Sequence, residues 1–63
     1  MNRTDTAPRV LAMLGEEKTV RQVREALGIT HMCARQALQR LLNKGKVAKR
    51  RDEEGEVWWR ATA

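Results

Sequence analysis

The sequence is poor in the residues that build disulfides, membrane spans and aromatic cores. Its 63 residues include one cysteine, one proline, two tryptophans and neither phenylalanine nor tyrosine. The single cysteine, Cys33, excludes an intramolecular disulfide and is typical of a reducing compartment. No apolar run approaches the ~18 residues of a membrane span, and no apolar signal segment precedes the first charges. We therefore expect a soluble, cytoplasmic protein that does not associate with membranes.

Constellations of catalytic or metal-binding residues are also missing. The sequence has no carboxylate pair placed for acid–base chemistry, no Ser/His/Asp or Cys/His arrangement and no phosphate-binding loop. The one histidine, His31, has no second ligand on its helical face, because Cys33 lies only two residues away. A chain of this length forms one domain with a small core, which leaves little room for a substrate chamber. We expect no enzyme activity, no metal and no cofactor.

Acidic residues are scarce in the middle of the chain, where basic residues are concentrated. The sequence has 13 Lys and Arg against 8 Asp and Glu, a formal net charge of +5. From Lys18 to Arg51 there are ten basic residues and a single acidic one, Glu25. This distribution predicts a polyanionic partner, although surplus Lys and Arg also serve solubility.

Helical periodicity dominates residues 19–46. Thr19 and Gln22 have capping-box spacing, Gly28 can end a helix in the left-handed conformation, and Thr30 can cap the next helix. The pattern predicts two helices joined by a tight turn, a helix-turn-helix. The apolar residues that recur at helical spacing are Val20, Val23 and Leu27, followed by Ala34, Ala37, Leu38, Leu41 and Leu42.

Another short helix is predicted before this pair. Thr6 is expected to cap it, Pro8 lies in its first turn, and Gly15 is expected to stop it. Such a short helix must pack its apolar stripe on the rest of the chain to be stable. Residues 16–18 are interpreted as a solvated connector.

After Gly45 the period changes to two, which predicts a hairpin with strands at 47–51 and 56–61. Alternation places Trp59 on the face that covers the helices and Trp58 on the opposite face. Trp58 then has two interpretations. It either packs on the stems of Lys49 or Arg51 across the hairpin, or it anchors a partner or dimer.

The predicted fold is mainly α with a small β-hairpin. We expect a flexible segment at residues 1–5 and a single domain at 6–62. Within it, the predicted helices cover about residues 7–14, 20–27 and 31–44, and the hairpin covers about 47–61. The predicted core consists of Val10, Leu11, Leu14, Val20, Val23, Leu27, Ile29, Ala34, Leu38, Leu41, Val47 and Trp59.

In order and spacing, these elements resemble the winged helix-turn-helix family of DNA-binding domains. The residues that carry the resemblance are TVRQVREALGIT, then CARQALQRLLNKGKV, then the closing VWWRAT. They are similar to the family's capped core helix, recognition helix, Gly-Lys-Val turn and returning wing strand, over roughly residues 8–62. The size resembles that of small phage or plasmid regulators. The resemblance implies a three-helix winged helix-turn-helix whose third helix enters the DNA major groove.

By this resemblance, the first two turns of the third helix meet base edges. Arginine can bond guanine, and glutamine can bond adenine, in bidentate fashion. The alternative to a DNA-contacting face is a solvent-exposed helix face made of residues with high helix propensity. The candidate base contacts are His31, Met32, Arg35, Gln36 and Gln39. The candidate phosphate contacts are Lys18, Arg21, Arg40, Lys46, Lys49, Arg50 and Arg51.

The wing tip departs from the family pattern. Wings that enter the minor groove usually carry basic residues at the tip, but this tip is acidic, with Asp52, Glu53, Glu54 and Glu56. Either the tip faces away from DNA or it contacts a basic patch on another protein.

Two functional hypotheses follow. The leading one is a sequence-specific double-stranded DNA binder, a small nucleoid-associated transcriptional regulator that acts as a homodimer or a cooperative assembly on DNA, because one short helix reads few bases. The alternative is a protein-interaction module that docks through Glu53, Glu54 and Trp58.

Overall fold

The computed structural model describes residues 6–62, which form three helices followed by an antiparallel hairpin. The predicted flexible segment at residues 1–5 lies outside the described residues. The helices are α1 (Thr6–Ala12), α2 (Val20–Leu27) and α3 (His31–Asn43), and the strands are β1 (Val47–Arg51) and β2 (Val57–Ala61). The order and type of the predicted elements are confirmed.

The turn between α2 and α3 is built by the predicted caps. The Thr19 hydroxyl accepts from the Gln22 N–H at 3.2 Å, and the Gln22 side chain accepts from the Thr19 N–H at 3.0 Å. Gly28 ends α2 with φ +66°, in the left-handed region that glycine adopts without strain. The Thr30 hydroxyl then accepts from the Cys33 N–H at 3.1 Å. These local bonds set the point at which α3 begins.

The end of α3 is closed by a Schellman motif around Gly45, which has φ +74°. The Gly45 N–H donates to the Leu42 carbonyl, and the Lys46 N–H donates to the Leu41 carbonyl, both at 2.9 Å. Lys44 is the cap, so the helix is one residue shorter than the predicted 31–44.

Loss of the α2 cap gives a direct stability test. Thr19 is 8% exposed, and Thr19→Ala leaves the Gln22 N–H of the first turn without its side-chain partner. We expect a loss of about 1 kcal/mol in the free energy of unfolding, measured by urea denaturation. Thr19→Ser retains the hydroxyl and is expected to lose much less. Equal losses in both variants would contradict the capping role.

The prediction for α1 was wrong at both ends. Thr6, the first residue that the structure describes, is helical rather than a cap outside the helix, and the helix ends at Ala12 rather than Leu14. A tighter turn follows the helix, in which the Leu14 N–H donates to the Leu11 carbonyl three residues earlier at 3.1 Å. The Leu14 carbonyl accepts from the Ala61 N–H at 2.9 Å. Pairing with β2 therefore replaces another helical turn.

The predicted solvated connector at residues 16–18 was also wrong, because Lys18 pairs with Trp59. The Lys18 N–H donates to the Trp59 carbonyl at 2.9 Å, and the Trp59 N–H donates to the Lys18 carbonyl at 2.8 Å. Lys18 therefore extends the hairpin at the free edge of β2 and ties the wing to the start of α2.

The core lies between the three helices and one face of the hairpin. The four predicted core residues Leu11, Val20, Leu27 and Ile29 are half-buried and pack on its margin, whereas Ala37 is buried but was not in the predicted core. The buried apolar residues are Val10, Leu14, Val23, Ala34, Ala37, Leu38, Leu41, Val47 and Trp59.

No helix among residues 6–62 is long and apolar enough to cross a membrane.

Candidate nucleic-acid interface

The five candidate base-contact residues lie together on the exposed face of α3. His31, Met32, Arg35, Gln36 and Gln39 are all exposed and line one shallow surface depression. The opposite face of the helix is buried in the core, which orients these side chains outward. The structure thus brings together the five residues that were predicted from the sequence as base contacts.

The chemistry of this face is cationic and amide-rich, with one apolar side chain. Met32 is 67% exposed and is the one exposed large hydrophobic residue in the described part of the chain. Neither Arg35 nor Arg40 forms an ion pair within residues 6–62, and α3 contains no Asp or Glu. The Gln39 amide donates to the Asn43 side chain at 3.1 Å, which orients it on the helix surface. The face therefore offers hydrogen-bond donors without a competing carboxylate on the same helix.

Two of the candidate phosphate contacts are paired with nearby acids. The Lys18 ammonium lies 3.6 Å from Glu16, and the Arg21 guanidinium lies 3.4 Å from Glu25. Three others, Arg40, Lys46 and Arg51, are exposed and form no ion pair within the described range.

The hairpin register separates the remaining two, Lys49 and Arg50, onto opposite faces. Lys49 lies opposite Trp59, and its ammonium is 5.2 Å from the centre of a Trp59 ring, within cation–π range. Lys49 therefore covers the edge of the core while its charge stays in solvent.

Arg50 lies on the outer face and forms a two-point ion pair with Glu17. Nε donates to Oε2 at 2.6 Å, and Nη2 donates to Oε1 at 2.7 Å. These hydrogen bonds hold the pKa of Glu17 below its ordinary value of 4.5 and raise the pKa of Arg50. Sequence reasoning did not find this pair, because its partners are 33 positions apart.

The acidic wing tip is organised by Asp52. Its Oδ1 accepts from the N–H groups of Glu54 and Glu56, each at 2.9 Å, and its Oδ2 accepts from the Trp58 indole N–H at 2.9 Å. The Trp58 hydrogen bond first, and the Glu56 N–H next, lower the pKa of Asp52 below its ordinary value of 3.8. The signal for this role is an aspartate at the start of a turn, where its side chain can bond the following backbone.

The Asp52 bonds also correct two sequence predictions. The Asp52 N–H donates to the Glu56 carbonyl at 2.9 Å, so Glu56 belongs to the turn and β2 begins at Val57. Trp58 is half-buried and lies opposite Arg50, so the expected packing on the stems of Lys49 or Arg51 was wrong. Those two residues share the other face of the hairpin. In contrast to Trp58, the tip residues Glu53 and Glu54 are exposed.

Asp52→Asn tests this turn through its pH dependence. Asparagine has one acceptor oxygen where Asp52 has two, so its NH₂ must face either the Trp58 indole N–H or the N–H groups of Glu54 and Glu56. We therefore expect lower stability at neutral pH. The contribution of Asp52 is present above its unfolded pKa, near 4, and is lost as the pH falls through the lowered folded value. Urea denaturation at pH 7 and pH 3 should therefore show the variant and the natural protein converging at low pH. Glu53→Gln is the control, and a similar loss there would contradict the role of Asp52.

No group of three or more His, Cys, Asp or Glu side chains that could hold a metal ion occurs within the described part of the chain. Cys33 is half-buried on α3.

Comparison with known proteins identifies the architecture. No protein-family model matches the sequence, and no curated protein matches it. Three solved structures of ZitR from Lactococcus lactis match the chain with TM-scores of 0.76, 0.77 and 0.78, at 20%, 18% and 17% sequence identity. The fold is a winged helix-turn-helix. This confirms the predicted fold class and, at the level of the fold, the family resemblance.

The three ZitR structures are a single mutant, a double mutant in its apo form and the same double mutant. The matches cover 90%, 95% and 97% of this chain, but 40%, 47% and 43% of the respective ZitR chains. This chain therefore spans less than half of the length of the ZitR structures that it matches.

Proposed function

We propose that this winged helix is a sequence-specific double-stranded DNA-binding protein that regulates transcription, with α3 in the major groove. The observation that carries the proposal is the single exposed surface formed by the five candidate base contacts of α3. The major groove is wide enough to admit an α-helix. The winged helix-turn-helix fold shared with the ZitR structures supports the proposal as an architecture.

The five candidate base contacts of α3 have side chains that can complement base edges. Arg35 can donate two hydrogen bonds to guanine O6 and N7, and Gln36 and Gln39 can each pair with adenine N6 and N7. Met32 offers an apolar contact for a thymine methyl group. His31, beside the Thr30 cap, can reach a base or a phosphate at the start of the helix.

Cations at the end of α3 and on the neighbouring elements supply the contacts to the DNA backbone. Arg40, Lys46 and Arg51 are the strongest candidates, because they are exposed and have no ion pair within residues 6–62. Lys18, Arg21, Lys49 and Arg50 contribute through charges that are shared with acids or with the Trp59 ring. Each phosphate contact releases counterions and steepens the salt dependence of binding.

A single α3 reads a short site, so specific binding requires a homodimer or adjacent copies on repeated half-sites. The spacing of half-sites in a selected DNA sequence would report this assembly.

The test is titration of a fluorescent random-sequence duplex at two salt concentrations, followed by selection of the bound sequences. Salt-sensitive binding with an enriched motif supports the proposal. Salt-sensitive binding without enrichment would indicate an architectural DNA-coating protein, and no binding at low salt would refute it.

The second candidate is a protein-interaction module that docks through the wing. Exposure of Glu53 and Glu54 at the tip favours it, because phosphates repel carboxylates there. Trp58 is a weaker anchor than the sequence suggested, since its indole N–H is bonded to Asp52. Failure of all DNA binding by the folded protein would favour this candidate.

A further inference from the structure

The Glu17–Arg50 pair differs from the other ion pairs in the described part of the chain. It joins residues 33 positions apart and ties β1 of the wing to the segment before α2. The other pairs link residues no more than four positions apart in sequence, and each has a single N···O contact of 3.4–3.9 Å. The Glu17–Arg50 pair therefore has the shortest contacts of these pairs and is the one that connects the wing to another part of the chain.

The carboxylate of Glu17 occupies one two-point edge of the Arg50 guanidinium, the edge formed by Nε and Nη2. A guanidinium presents its N–H groups as a planar fork, which fits a carboxylate or a phosphate in the same two-point geometry. In this structure Nε and Nη2 are both directed to Glu17. A phosphate at this edge of Arg50 must displace the carboxylate.

The pair is accessible enough for this exchange. The Arg50 side chain is 55% exposed and the Glu17 side chain is 31% exposed. Ion pairs with this exposure are weak, because water and salt screen the attraction. A closely spaced row of DNA phosphates can therefore compete for Arg50.

We propose that Glu17 limits nucleic-acid affinity by holding Arg50 away from phosphate in the free protein. Glu17 is a positioning residue, because it acts on DNA only through Arg50. The inference rests on the proposed DNA-binding function and adds a residue that lowers affinity, outside the set of contacts selected from the sequence.

Glu16 provides a matched control for Glu17. The two are adjacent glutamates, so Glu16→Gln and Glu17→Gln make the same change in net charge at nearly the same place. Glu16 is 87% exposed and contacts Lys18 through one interaction of 3.6 Å. Its removal therefore reports the effect of one fewer negative charge together with the release of Lys18 from a single weak contact, so any larger gain in Glu17→Gln is specific to Glu17.

The experiment is a set of fluorescence-anisotropy titrations of a labelled duplex between about 50 and 200 mM salt. The proteins are the natural chain, Glu16→Gln and Glu17→Gln, each also with Arg50→Ala. We expect Glu17→Gln to bind roughly two- to fivefold more tightly than Glu16→Gln, the range set by opening an exposed ion pair. We also expect its slope of log K against log salt to steepen by about 0.9, because one more phosphate is contacted.

In the Arg50→Ala background, the two glutamate variants are expected to behave alike. Glu17→Ala, which cannot accept a hydrogen bond from Arg50, should gain at least as much affinity as Glu17→Gln. Circular dichroism checks that every variant is folded.

Two sets of outcomes would overturn the proposal separately from the function. Equal gains from Glu16→Gln and Glu17→Gln, a loss of affinity in Glu17→Gln, or a gain that persists with Arg50→Ala would refute the role of Glu17 while leaving DNA binding intact. Absence of binding by both the natural protein and Glu17→Gln, when folded, would refute the DNA-binding function together with it.

Discussion

Replacing Trp59 with alanine is expected to lower the free energy of unfolding by about 3–5 kcal/mol. Trp59 is 5% exposed and joins the hairpin to the helical core. Its backbone pairs with Lys18, and Lys49 covers its ring. Domains of this size have a low free energy of unfolding, so this loss should leave a large unfolded fraction at moderate temperature. Thermal and urea unfolding, followed by circular dichroism, would measure it.

Trp59→Phe separates the packing of the ring from its polar group. The Trp59 indole N–H is buried and has no hydrogen-bond partner among the described residues. Phenylalanine removes this unpaired donor and keeps much of the apolar contact, so we expect a cost of about 1 kcal/mol or less. A loss as large as that of Trp59→Ala would mean that the indole N–H makes an essential bond. If Trp59→Ala unfolded with the same free energy as the natural protein, the role of Trp59 in the core would be contradicted.

Replacing Arg35 with alanine is expected to weaken binding to the preferred DNA sequence by about 1–3 kcal/mol and to relax one base preference. Arg35 is exposed at the centre of the α3 face and forms no ion pair within residues 6–62. Selection of bound sequences, followed by titration on the preferred site and on a site changed at one base pair, would measure both effects.

Arg21→Ala is the control for Arg35→Ala. Arg21 is an exposed arginine on α2 that is paired with Glu25, and its proposed contact is a phosphate. We expect Arg21→Ala to weaken all sequences alike and to leave the preferred motif unchanged. If Arg35→Ala also weakens every sequence equally, Arg35 holds phosphate and its proposed role in reading bases is wrong.

The sequence by itself determined the elements whose limits depend on local bonds. Thr19, Gln22 and Thr30 cap helices through partners three residues away, and Gly28 and Gly45 end helices through their own backbone freedom. These interactions lie within one helical turn, so residue type and spacing were sufficient to predict them. The same holds for the outward face of α3, because the buried positions of a helix define its exposed ones.

The tertiary structure alone decided the features that join distant parts of the chain. The Ala61 N–H bonds to the Leu14 carbonyl just beyond the end of α1, and the pairing of Lys18 with Trp59 turns a predicted connector into an edge of the hairpin. From the sequence, Arg50 was one of several candidate phosphate contacts, and only the folded structure shows that Glu17 binds it. Whether a cation is free to make the proposed DNA contacts thus depends on which acid the fold brings within hydrogen-bond distance. Such long-range partners leave no periodic signal in the sequence.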